Sequence, residues 1–358
     1  MSRTVDTLKH KQALLIKCEG EVTEPLFFDG FRERLSGFVY TISPEPRYVE
    51  ADLEPRPTRG GKRRKKRQLK GEPIDDGRES YPMPLNWVMD GIEKLDTYEN
   101  VWCVFDKDGH PAMKEAFEKV HECQGLGQKI NIAFSSRCIE YYFLLHFEYI
   151  YKAFLKCECG KKDSNRKRTV YFRCMTPEAV PGEACNGDKC INGYARSKGY
   201  WQESKQEDKA VFPLIKDKIW IGIRNSILLR RESYAKDIAT PIYLRNPFVT
   251  VDHLVASLLG YEVLEEYGDL DVIKDSGTRL SIHRTEIVLT IKIVGDIAYS
   301  IQSNLMSSVD VNTGSIKDYT PKNHILQPEE TESYEMNGED GSLFVLSLGT
   351  KKFIIAKG

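Results

Sequence analysis

In "ENVWCVFDKDGHP", residues 99–111, an apolar run of Val101, Trp102, Val104 and Phe105 leads straight into Asp106, Lys107 and Asp108, followed by Gly109 and Pro111. Such a run of β-branched and aromatic residues, closed by Gly and Pro, reads as a buried strand ending in a tight turn. Residues i and i+2 of an extended segment point to the same side, so the two aspartates can present oxygens to one point past the strand end. Hard divalent cations bind oxygen sets of this kind, although Asp is also an ordinary turn residue. A second acidic cluster strengthens the metal reading. It follows the apolar run "QALLIKC" (12–18), where Glu19, Glu21 and Glu24 crowd one turn.

Other residues near these turns have chemistry of their own. Glu24 lies beside Thr23 and Pro25 at a helix start, where a carboxylate suits the helix N-terminus as well as a cation. Glu140 opens the apolar stretch "CIEYYFLL", where burying an acid is costly. Lys107 is placed to meet a phosphate, and His110, just after the aspartates, to orient a water.

The elements that must carry these residues alternate. After the 12–18 strand, Phe27, Phe28, Phe31 and Leu35 recur at helical spacing, and residues 38–49 supply another strand. Residues 85–96 read as an amphipathic helix before the 101–105 strand; 112–123 as a helix; 130–136 as a strand; and 138–155 as a long apolar helix. Strands alternating with helices predict a doubly wound, largely parallel sheet, with both acidic turns at strand C-terminal ends, where open α/β sheets place their sites. Helical periodicity returns over 209–236 and 250–264. From about 270 the pattern changes to the alternation of β-hairpins, in "RLSIHRTEIVLTIKIVGDIAYSI" (279–301) and "SLFVLSLGTKKFIIAKG" (342–358).

Two segments point to further ligands. Residues 59–70, "RGGKRRKKRQLK", carry eight Lys/Arg and no acid, whereas 261–358 hold sixteen acids against nine Lys/Arg. The formal net charge of −1 conceals that asymmetry. It predicts a polyanion contact through Lys62, Arg63, Arg64, Lys65, Lys66 and Arg67 in a flexible loop spanning 50–82. Among nine cysteines, Cys157, Cys159, Cys174, Cys185 and Cys190 cluster. Cys157 and Cys159 with Cys185 and Cys190 form two pairs suited to a structural Zn2+, with Cys174 as the alternate ligand. Composition is that of a globular chain, with 41% hydrophobic and 29% charged residues. No apolar run reaches membrane-spanning length and the N-terminus lacks an apolar signal core, so no membrane contact and a cytoplasmic location are expected.

A Glu in one strand-turn and a D-x-D in another resemble the Toprim domain of topoisomerases, primases and related nucleases. The chain is more specifically similar to the RloB-like family of bacterial Toprim proteins, through "KCEGEVTEPLFFDGF" (17–31), "VWCVFDKDGHP" (101–111), "IAFSSRCIEYYFLLHF" (132–147) and "NPFVTVDHLVASLL" (246–259). Where the family usually has Asn-Pro, this chain has Ser136-Arg137, and the cysteine segment looks like an insertion.

The resemblance implies an α/β fold: a Toprim-like parallel sheet flanked by helices, with a Cys-rich, zinc-ribbon-like insertion and a C-terminal β-rich domain. The boundaries expected are 1–155 for the catalytic domain, 156–200 for the insertion, 201–265 for a helical completion and 266–358 for the β-rich domain. It also implies a Mg2+- or Mn2+-dependent nuclease acting on RNA such as tRNA, or on DNA, in anti-phage defence or abortive infection. Carried over residue by residue, Glu19 is the general acid/base or metal-linked carboxylate, Asp106 and Asp108 are metal ligands, and Glu140, which matches the family motif, is a further catalytic candidate. Two alternatives are a non-catalytic defence component that binds nucleic acid or a partner, and a topoisomerase- or primase-like enzyme, for which no companion domain is visible. The β-rich domain is expected to serve self-association or recognition of a defence-system partner.

Overall fold

Apolar runs alternating with helical periods should fold into strand–helix units, and the computed structural model shows them. It describes residues 12–33, 39–46, 83–107, 110–155, 160–163, 168–171, 190–201, 211–265, 268–273, 279–286, 288–294, 298–302, 304–318, 323–348 and 350–358. In chain order the first elements are β1 (Gln12–Cys18), α1 (Thr23–Asp29), β2 (Tyr40–Ser43), α2 (Leu85–Glu93), β3 (Tyr98–Asp106), α3 (Met113–Gly125), β4 (Ile130–Ser136) and α4 (Glu140–Leu144). There follow β5 (Gly160–Asp163), β6 (Arg168–Tyr171), α5 (Ile191–Ser197), α6 (Val211–Ile215), α7 (Ile219–Lys236), β7 (Phe248–Val249), α8 (Val251–Leu258) and β8 (Glu262–Val263). The remainder is β9 (Gly268–Ile273), β10 (Arg279–Arg284), β11 (Val288–Val294), β12 (Tyr299–Ile301), β13 (Met306–Val309), β14 (Ile316–Asp318), β15 (His324–Leu326), β16 (Thr331–Glu335), β17 (Leu343–Leu348) and β18 (Lys351–Ala356).

The site-bearing sheet has the order β2-β1-β3-β4-β7. β1 pairs in parallel with β2 and β3, β3 in parallel with β4, and β7 closes the edge antiparallel. A parallel sheet is covered on both faces, so its strands are apolar on both. Leu14 and Ile16 join one core with α1, α4, α7 and α8; Leu15, Val101, Cys103 and Phe105 join a second with α2 and α3. Beyond β7 the edge of β4 is capped by side chains. Thr250 Oγ1 accepts from Phe134 N–H (2.9 Å) and donates to the Ile132 carbonyl (3.3 Å), while Gln124 Nε2 donates to the Ile130 carbonyl (2.9 Å). Strand pairing with another chain is thereby blunted.

Two sequence expectations need correction. The apolar stretch 138–155 is not one long helix, because α4 stops at Leu144. A continuous helix would carry residue 150 roughly 13 Å along the axis from Tyr141, whereas Tyr141 Oη donates to the Ile150 carbonyl at 2.9 Å and accepts from Lys152 N–H at 3.2 Å. Tyr141 through Leu145 are all buried, so the unbroken apolar run records burial and not the length of a helix. The helix expected over 250–264 ends at Leu258, and Glu262 and Val263 pair in parallel with β18.

The C-terminal region is a sandwich of two sheets, β16-β11-β10-β9 and β14-β13-β17-β18-β8. Between them lie Leu280, Ile282, Leu289 and Ile291 from one sheet, and Phe344, Leu346, Phe353 and Ile355 from the other. The opposite face of β17 and β18, carrying Leu343, Val345, Ile354 and Ala356, is buried in the same core as α7 and α8. This explains why "LFVL" and "FIIA" are apolar without interruption rather than alternating. Among the described residues no helix is long and apolar enough to cross a membrane.

Candidate functional site

β1 and β3 are neighbours, with Cys18 opposite Val104, so the residues that follow them meet. Glu19 N–H donates to the Val104 carbonyl (2.9 Å), which extends the ladder by one bond and fixes where the Glu19 side chain starts. Its carboxylate then receives two donors. Asp106 N–H reaches Oε2 at 3.1 Å, and His110 Nε2 lies 2.8 Å from Oε1. A carboxylate oxygen accepts, so His110 presents Nε2–H. The edge of the His110–Trp87 pair, 5.9 Å between ring centroids at 86°, supports the imidazole from behind. Glu19 and His110 remain partly exposed, at 20% and 22%.

Asp106 ends β3 opposite Ser135 of β4, and Lys107 N–H continues that ladder to the Ser135 carbonyl (3.0 Å). Asp108 lies outside the described residues, as do Lys62 through Arg67 and the cysteines Cys157, Cys159, Cys174 and Cys185. Glu140 opens α4 three residues after Arg137 and is half-buried. The thiol of Cys138 is hydrogen-bonded to Glu140, and burial, then Glu140 and Asp106, push it well above the ordinary thiol range. Glu140 and Asp106 are therefore close enough to act on one sulfur, and the fourth strand's end joins the first and third.

Glu24 comes from the first turn of α1 and is 6% exposed. Burial pushes its carboxyl up to about 7, with Glu140 and Glu19 adding to the rise against hydrogen bonds from its own N–H and that of Gly20. A Cβ on Gly20 would stand 2.1 Å from Glu24 Oε2, so glycine there is what admits the carboxylate. Glu19, Glu24, Asp106 and Glu140 thus form one acidic group at the C-terminal ends of β1, β3 and β4. The charges of Glu140 and Glu19 add to the rise at Glu24, and a cation among the four would relieve that repulsion.

The cations placed nearby by the sequence have separate partners. Lys107 Nζ donates to the carbonyls of Leu244 and Arg245 (3.1 Å to the latter), and burial, then Arg137, hold its ammonium below the usual lysine range. Lys17 is paired with Asp90 at 3.1 Å. Cys190 is buried, and its Sγ accepts from Gly193 N–H at 3.4 Å at the start of α5.

A tighter ligand-like set lies elsewhere. Asp252, His253 and Glu265 bring their ligand atoms within 4.8 Å of one another, closer than the strand-end carboxylates among the described residues. The Arg230 guanidinium already fills it, bonding Asp252 at 2.5 and 2.7 Å and Glu265 at 2.8 and 2.9 Å. It is a buried ion-pair cluster joining α7 to α8.

Residue spacing pointed to Glu19 and Asp106, the family resemblance added Glu140, and His110 was placed beside them without a partner. Cys138 was missed; its only signal was its position two residues before Glu140. A family model described as RloB-like protein matches residues 14–258. No curated protein gives a significant match to the chain.

Proposed function

Because the chain belongs to the RloB-like protein family, we propose that it is a Mg2+- or Mn2+-dependent nuclease of the Toprim class. It cuts phosphodiester bonds of nucleic acid, RNA such as tRNA or DNA, as an anti-phage or abortive-infection effector. The observation that carries this reading is the meeting of Glu19 and Asp106 at adjacent parallel strand ends, with His110 on Glu19 and Glu140 alongside. The parallel order β2-β1-β3-β4 is in keeping with a Toprim sheet.

The donor set fits a hard divalent ion. It is made of carboxylates, burial and then the charges of Glu140 and Glu19 push Glu24 up to about 7, and Gly20 leaves room for that carboxylate. Asp106 with Asp108 would hold the ion, joined by Glu19 or Glu140; when bound it neutralises charge developing on the phosphate and lowers the pKa of an attacking water. The rest belongs to the side chains. Glu19, fixed by the Asp106 N–H, moves the proton between water and the leaving oxygen, and His110 sets the direction of its carboxylate.

The same proposal assigns a structural zinc to Cys157, Cys159, Cys185 and Cys190, with Cys174 as alternate. The buried Cys190 sulfur at a helix start supports it, since backbone N–H groups there favour a thiolate. It assigns nucleic-acid contact to residues 62–67, and self-association or a partner protein to the β-rich region.

Incubating the full chain with tRNA, other RNA, single-stranded DNA and duplex DNA, each with Mg2+ or Mn2+, tests the reading. One class should be cut, and Glu19→Gln should slow the cut by about 10²–10⁴-fold. Asp106→Ala should abolish it at unchanged melting temperature, because Asp106 lies at a strand end rather than in the core. Full activity in Asp106→Ala would overturn the assignment; binding without cleavage by wild type would favour the non-catalytic alternative.

A further inference from the structure

A phosphodiester brought to this site meets Glu19, Glu24, Asp106 and Glu140. A divalent ion offsets only part of that negative charge, and further charge develops on the non-bridging oxygens as the bond breaks. A positive side chain at the same end of the sheet would offset the remainder. Among the described residues near the acidic group, most cations are committed. Lys17 is on Asp90, Lys107 is on two backbone carbonyls, and His110 is on Glu19. Arg245, behind Lys107, donates to the Ser233 carbonyl at 2.8 Å and to Ser233 Oγ at 3.0 Å.

Arg137 differs. It is the residue immediately after β4, partly exposed, and its guanidinium has no hydrogen bond, ion pair or ring contact with the described residues. β4 places it by register: Ser135 is opposite Asp106, Lys107 N–H bonds the Ser135 carbonyl, and Glu140 follows three residues on. The Lys107 ammonium lies near enough to be influenced by it. Among the described residues nothing pairs with this long, permanently charged side chain, which issues from the edge of a carboxylate group. Its planar fork matches two oxygens of a phosphate.

We propose that Arg137 is the residue that grips the scissile phosphate, supplying the protein's own positive charge beside the metal ligands. This rests on the nuclease reading for the identity of the anion. Lys107, once its ammonium is engaged by the 244–245 carbonyls, holds the neighbouring loop and not the substrate.

The test uses the full chain with Arg137→Gln and Arg137→Lys. The probes are the nucleic acids of the activity screen for binding and cleavage, and Mn2+ alone for metal affinity. Arg137→Gln should keep wild-type melting temperature and Mn2+ affinity, while cleavage falls by about 10²–10³-fold. Its binding should show a salt slope shallower by about one phosphate contact. Arg137→Lys keeps the charge without the fork and should recover the salt slope but only part of the rate. If wild type cuts and Arg137→Gln cuts equally well with the same slope, the proposal is wrong and the nuclease reading stands. If wild type binds without cutting and the slope still drops in Arg137→Gln, the nuclease reading fails and the phosphate grip stands. If wild type neither binds nor cuts, both are wrong.

Discussion

His146 shows how a single buried ring ties this fold to pH. It is fully buried just past α4; Nδ1–H donates to the Tyr142 carbonyl (2.9 Å), and Nε2 has no hydrogen-bond partner among the described residues. Gly222 of α7 provides the space, since a Cβ there would stand 2.4 Å from Nε2. Burial lowers the imidazole to about 4. The unfolded chain therefore binds the proton more readily, so the stability from the neutral ring is complete above about 6.5 and is lost as pH falls toward 4. A drop of that size amounts to about 3 kcal/mol at the acid end. Urea unfolding at a series of pH values should show this loss in wild type. His146→Asn keeps the donor to Tyr142 and should flatten the 6.5-to-4 window, at the expense of some packing at pH 7. An unchanged slope in that variant would remove His146 from the account.

At the level of elements, Arg230 is the fastening. It sits on α7 at 2% exposure between Asp252 of α8 and Glu265 just past β8, and also donates to the Val249 carbonyl of β7. Nothing in "SILLRRESY" marks Arg230, rather than Arg231, as the buried one. The distinction arises because α7 is enclosed on most sides, with Ile223, Ile227 and Leu229 in the main core and Asn225 Nδ2 bonding the Leu145 carbonyl (2.7 Å). Arg230→Met should destabilise the protein by about 3–5 kcal/mol, because Asp252 is left charged and buried. Adding Asp252→Leu should restore part of the loss. Equal melting temperatures for wild type and Arg230→Met would contradict this.

For the whole molecule, the β-rich region is part of the support for the helices behind the site. Leu343, Val345, Ile354 and Ala356 complete the core that α7 and α8 share with β1, and Arg231 donates to the carbonyls of Ala356 (2.5 Å) and Lys357 (2.6 Å). Arg284 bridges Leu264 (2.9 Å) and Ala356 (2.8 Å). A chain ending near residue 265 should expose that apolar face, lose β8's partner and aggregate or melt well below the full chain in calorimetry. A soluble truncation with the full chain's melting temperature would show the two parts to be independent. Both faces of β17 and β18 are covered within the chain, so the partner role proposed for this region has to use its strand edges and its acidic outer surface.

Sequence pattern alone determined the strand over 101–105, the strand Gln12–Cys18, the helix from Thr23 and the acidic turns. In each case the signal is local: an apolar run, its period, and the turn residues that close it. It also pointed to Glu19, Asp106 and Asp108 as one candidate site, because parallel strands deliver their C-terminal residues to one end of a sheet, while Glu140 came from the family resemblance. Only the tertiary structure decided which charges have partners. Lys107 is held by carbonyls 137 and 138 positions away, His110 by a carboxylate 91 positions away, and Arg137 has no partner among the described residues. The short α4 and the doubly covered β17 and β18 were likewise settled by distant packing. Local propensity records how a segment prefers to fold; which groups leave water, and what meets them there, depends on residues far along the chain.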